Sequence, residues 1–90
     1  MTLEECWDVL CRTSPQFGFS GVVFHLDDVI HRWGTNTGWQ ARIEFPERGY
    51  ISLWRESGAK SEGAAAVLFV DCVARSFNEK LSNLEAVHQQ

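Results

Sequence analysis

Apolar and polar positions alternate with a period of two along Gly38-Trp39-Gln40-Ala41-Arg42-Ile43-Glu44-Phe45. Pro46-Glu47-Arg48-Gly49 breaks the alternation with turn chemistry, and Tyr50-Ile51-Ser52-Leu53-Trp54 resumes it. From Ser61 to Phe77 the pattern becomes almost wholly apolar at helical spacing. A β-hairpin followed by a helix buried against it accounts for both periods. Side chains alternate across a strand. Trp39, Ala41, Ile43 and Phe45 therefore share one face with Ile51 and Leu53, and that face supplies the core. Gln40, Arg42 and Glu44 fall on the other face with Tyr50, Ser52 and Trp54. A one-residue bulge would exchange the members of one strand.

The N-terminal pattern is helical. Thr2-Leu3-Glu4-Glu5 matches a capping box with Thr2 as N-cap. Leu3, Cys6, Trp7 and Leu10 then form one apolar stripe, which predicts a helix over about Leu3–Arg12. Ser14-Pro15 and Gly18 end it. Gly21–Leu26 reads as a strand. Asp27-Asp28 is then a hairpin turn, a cap on a short helical turn, or the middle of one bent strand. The β-prone Val29, Ile30 and Trp33 favour the strand readings. Gly34-Thr35-Asn36-Thr37-Gly38 is a loop, Ser57-Gly58 ends the sheet, and Lys60 or Ser61 starts the long helix. Ala66, Phe69, Val70, Val73 and Phe77 form its stripe, and Ala64, Ala65, Val67, Leu68 and Cys72 widen it. A helix apolar nearly all round calls for cover on more than one side. The sheet covers one side, and the first helix, or a homodimer through the C-terminal helix, would cover another. The expected architecture is α+β: residues 1–90 as one domain, an antiparallel sheet of three to four strands, and an N-terminal and a long C-terminal helix packed on one face (α-β-β-β-α).

Composition adds little to that fold but narrows the function. The net charge is −4, made of −4 in residues 1–30, +2 in 31–60 and −2 in 61–90. The basic excess lies on the hairpin and is too small to predict nucleic-acid binding by charge alone. Three cysteines, Cys6, Cys11 and Cys72, form no Cys-x-x-Cys, and reduced thiols in the cytoplasm are the natural reading. The longest apolar stretch, Ala64 to Val70, is far below the roughly 20 residues a membrane span needs, so no membrane partner is expected.

Candidate chemistry is sparse. His25, Asp27, Asp28 and His31 are the one cluster of metal-ligand types, with His25, Asp27 and His31 able to converge across a tight turn. Their spacing matches no established signature, and turns are ordinarily rich in Asp, so no metal or other cofactor is assigned. Cysteine–histidine catalysis would pair Cys11 with His25 or His31, but the chain has little material for a cleft, and a non-enzyme is expected. No phosphate loop is present. Glu4, Glu5 and Asp8 share the polar face of the first helix, which solvent exposure explains. The outer sheet face carries more weight, because aromatic–Arg patches are the chemistry of binding hot spots and of base stacking. Arg42, Arg48, Tyr50, Trp54 and Arg55 are therefore the candidate contact residues. The acidic face of Glu4, Glu5 and Asp8 is the alternative, since it could imitate nucleic acid toward a basic partner.

The helix–strand–strand–strand–helix order resembles the double-stranded RNA-binding domain, whose last helix opens with a phosphate-gripping lysine cluster. The equivalent stretch here, Lys60-Ser61-Glu62-Gly63-Ala64, holds one basic and one acidic residue, so that family's binding residues do not carry over. The segment Gly38-Trp39…Ile43…Gly49-Tyr50-Ile51…Gly58 to Ala64 looks like the short acidic orphan proteins of bacteriophages, the anti-CRISPR proteins among them. That resemblance implies a non-enzymatic protein that docks on a host protein complex, inhibiting a bacterial defence system. A small nucleic-acid-binding module is the second expectation, and a small metal-binding protein the third.

Overall fold

A computed structural model describes residues 2–56 and 63–88. Helix α1 (Leu3–Thr13) opens as its sequence predicts, with Thr2 Oγ1 accepting from the Glu5 backbone N–H at 3.2 Å. The Ser14–Phe17 turn of 3-10 helix follows and ends at Gly18, whose φ of 85° is left-handed. Four strands come next: β1 (Phe19–Leu26), β2 (Val29–Gly34), β3 (Trp39–Phe45) and β4 (Gly49–Arg55). They form one antiparallel sheet in the order β2-β1-β4-β3. Helix α2 (Gly63–His88) closes the fold and runs through Asn78 without a break. The architecture is the α+β one expected, with the strand count at the upper end. The expected break at Ser57-Gly58 and the helix start at Lys60 or Ser61 lie outside the described residues. No described helix is long and apolar enough to cross a membrane.

Asp27-Asp28 is the hairpin turn. Leu26 pairs with Val29 across it, and Asp27 adopts a φ of 54°, which a short polar side chain tolerates better than a branched one. The strand register then sorts the faces. Val22, Phe24 and Leu26 pair with Leu53, Ile51 and Gly49. Ala41 and Ile43 pair with Leu53 and Ile51 from the other side. This is the core face, and both helices lie on it. Trp7 of α1 meets Phe24 edge-on at 5.7 Å, and Phe77 of α2 meets the same ring at 5.7 Å. The buried stripe of α2 is Ala66, Phe69, Val73, Phe77 and Leu81. Ala66 to Leu81 spans about 22 Å at the helical rise, close to the length of a seven-residue strand. Over that span the stripe matches the sheet.

One feature of β1 departs from the expected strand. The pairing with β4 slips between Phe19 and Gly21, so Ser20 is an extra residue. A bulge of this kind reverses side-chain parity. Phe19 consequently turns to the core face, where it is buried and lies 5.8 Å from Phe69. Without the slip it would point away from both helices.

Candidate functional site

Neither described helix lies on the outer face of the sheet, and the relief of that face follows from the register. Arg32, Val23, Ser52 and Arg42 form one row across β2, β1, β4 and β3. The row on one side is Ile30, His25, Tyr50 and Glu44. The row on the other is Gly34, Gly21, Trp54 and Gln40. Small side chains, Val23 and Ser52, thus occupy the middle, while Arg32, Arg42, Tyr50 and Trp54 stand around them. A recess of about 280 Å³ results, with Asn36 of the β2–β3 loop and Gln40 completing its wall. Val23 and Ser52 are 8% and 2% exposed; the surrounding side chains, not a covering layer, keep solvent from them.

Most of the wall is held in place. The Arg42 guanidinium lies 3.8 Å over the Tyr50 ring, and its Nε donates to Glu44 Oε1 at 2.6 Å. His25 sits 5.3 Å from the other partner of that cluster, Tyr50, at a tilt of 48°. Gln40 Nε2 donates to Ser52 Oγ at 2.6 Å. Trp54 is half-buried, and its indole Nε1–H is shielded from solvent without an acceptor among the described residues.

Three of the five contact candidates therefore come together: Arg42, Tyr50 and Trp54. Arg55 does not join them. It has the parity of Ile51 and Leu53, faces the helix side beside Phe19 and Trp39, and is 9% exposed. Arg48 does not join them either. Its Nε and Nη2 donate to Asp27 Oδ1 and Oδ2 at 2.7 and 2.8 Å, and its carbonyl accepts from the Asp27 N–H at 2.8 Å. The pair stitches the β1–β2 turn to the β3–β4 turn. The guanidinium holds the Asp27 carboxyl below its usual range. A depressed folded-state value stabilises the fold above the unfolded value of about 3.9, and that stability is lost as pH falls through the folded value. The Asp27 side chain is 41% exposed, so solvent screening holds the effect below about 1 kcal/mol. Thermal midpoints of the native protein and Asp27→Asn are expected to differ near pH 6 and to converge toward about pH 2. A gap that stays constant with pH would rule out the ion pair as its source.

The acidic candidates Glu4, Glu5 and Asp8 are exposed on α1, as expected. Glu4 is not idle: its Oε1 meets His31 Nε2 at 2.9 Å, and the His31 ring stacks on Trp7 at 5.1 Å and 19°. His31 is thereby on the helix side of the sheet, while His25 is on the open side. The convergence of His25, Asp27 and His31 into a metal site does not occur, because residues of opposite parity cannot meet through a sheet. Among the described residues no group of three or more His, Cys, Asp or Glu could hold a metal ion. All three cysteines are free. Burial, aided by the Asp8 charge, pushes the Cys11 thiol up, away from the thiolate that nucleophilic chemistry needs.

Arg32 and Asn36 escaped the sequence reading. Placing them required choosing the hairpin for Asp27-Asp28; Leu26 opposite Val29 then puts Arg32 opposite Val23. A second opening, about 290 Å³ and apolar, lies between α1 and α2, lined by Cys6, Val9, Leu10, Cys72, Val73 and Phe77 among others. Val67 and Leu68 of α2 remain exposed at 63% and 68%.

Comparison with protein-family models, curated proteins and solved structures finds no match for this chain.

Proposed function

We propose that the protein is a non-enzymatic binding protein that docks the open face of its sheet on a macromolecular partner. The observation carrying this reading is the row Arg32–Val23–Ser52–Arg42 between Tyr50 and Trp54, a walled recess on a face that neither helix covers. Half-buried aromatics and exposed arginines around a small-residue floor resemble the anchors of interface hot spots. The Arg42–Tyr50 stack adds preorganisation, since a side chain already fixed loses less entropy on binding. The acidic face of α1 is the weaker candidate surface, because Glu4 already has a partner in His31. The resemblance to phage-encoded orphan proteins makes a bacterial defence complex the first partner to test, with steric occlusion as the mechanism.

The test is affinity capture from bacterial lysate, with partners identified by mass, using the native protein and two variants. Arg42→Ala removes an exposed ion pair and a cation–π contact, and is expected to change stability by no more than about 1 kcal/mol. Trp54→Ala is expected to cost about 1–2 kcal/mol, less than a core aromatic. Both are expected to lose the partner. Retention of the same partner by both variants, with their thermal midpoints intact, would remove the sheet face from the proposal.

A further inference from the structure

The recess has an unequal hydrogen-bond inventory. Arg42 is already engaged by Glu44 and Tyr50, and Gln40 donates to Ser52. Arg32 is exposed at the rim and has no hydrogen bond or ion pair among the described residues. Among the same residues Trp54 Nε1–H has no acceptor either. The guanidinium and the indole are donors only, and a shielded donor without an acceptor is costly. An acceptor carrying negative charge would suit both donors.

We infer that the recess takes a carboxylate of an acidic protein segment, with Arg32 supplying the countercharge and the Trp54 indole N–H a second donor. This inference rests on the docking reading above. Arg32 presents a planar fork that matches a carboxylate. Because the indole N–H is shielded, the incoming oxygen displaces part of the recess wall to reach it. A nucleic-acid strand fits the same face less well. Strand binding draws on several cations that neutralise successive phosphates, whereas Glu44 already compensates Arg42. It also draws on free aromatic faces, whereas the Arg42 guanidinium occupies the Tyr50 ring.

The experiment is an NMR titration of the nitrogen-labelled full chain with N-acetylglutamate methylamide, its glutamine counterpart, and a short oligothymidylate. The Arg32 Nε–H and Trp54 Nε1–H signals, assigned through Arg32→Gln and Trp54→Phe, are expected to move with the glutamate compound and not with the glutamine one. Arg32→Gln is expected to weaken the response about tenfold or more, and Arg32→Lys to restore part of it, as a charge-assisted bond requires. Equal shifts with the glutamine compound, an undiminished response in Arg32→Gln, tighter binding of the oligothymidylate, or no shift at the face would each overturn the inference. If the glutamate compound fails while Arg42→Ala and Trp54→Ala still lose a captured partner, the carboxylate assignment falls and the docking surface stands. If neither loss occurs, both fall.

Discussion

Gly49→Ala is expected to destabilise the protein by about 3 kcal/mol or more, a lowering of roughly 15 °C in thermal midpoint for a domain of this size. Two independent causes act at this residue. Its φ is 141°, a region that side chains rarely adopt. A Cβ added there would also lie 1.9 Å from the His25 carbonyl oxygen and 2.9 Å from its carbon, and backbone atoms cannot rotate aside as a side chain can. Gly49 pairs with Leu26 of β1 and Phe45 of β3, so relief requires β4 to move against a neighbour. That movement would disturb the adjacent Arg48–Asp27 pair and the adjacent Tyr50 of the recess wall. The control is Gly63→Ala, where an added Cβ meets nothing within 4 Å and the change is expected to be neutral or slightly stabilising. Thermal and urea unfolding of both variants decides the matter. A loss within about 0.5 kcal/mol at Gly49 would mean that the two hairpins are not as closely apposed as described.

The sequence pattern carried the division of the central hairpin into two faces, because strict alternation leaves one parity for each residue. Trp54 faces away from the helices as Tyr50 and Ser52 do. The same rule, applied one step further, places Arg55 with Leu53 on the helix side; its charge, rather than its parity, had suggested the contact surface. Other features were not legible for physical reasons. The bulge at Ser20 has only the neighbouring Gly21 as its mark in a strand that reads Phe-Ser-Gly-Val-Val-Phe, yet it decides where Phe19 points. The engagement of Arg48 by Asp27 joins residues 21 apart in sequence, and nothing local encodes it. The recess itself is a property of strand order. Val23 and Ser52 are unremarkable alone and become a floor only when β1 and β4 are neighbours with Arg32 and Arg42 on the outside. Local periodicity sets faces, but the order β2-β1-β4-β3 sets who stands beside whom, and the candidate site depends on the second.

Phe24→Ala is expected to cost about 3–5 kcal/mol, the range for truncating a fully buried aromatic. The ring is fully buried and lies between three elements: Trp7 of α1 at 5.7 Å, Phe77 of α2 at 5.7 Å and His31 of β2 at 6.1 Å. A chain this small has a total stability of about 5–13 kcal/mol, so a large part of the folded population is placed at risk. The adjacent residue gives the contrast that bears on function. Val23 is nearly as buried by exposure, at 8%, but its neighbours are the exposed or half-buried side chains of the recess rather than a packed layer. Those side chains can relax into the space a truncation leaves, and water can follow them. Val23→Ala is therefore expected to cost only about 1 kcal/mol, while deepening the recess floor. The pair of variants, compared by urea unfolding, measures directly whether the outer face is open. Similar losses at Phe24 and Val23 would mean that something covers the outer face in the free protein, and the recess would then be part of the core rather than a surface for a partner.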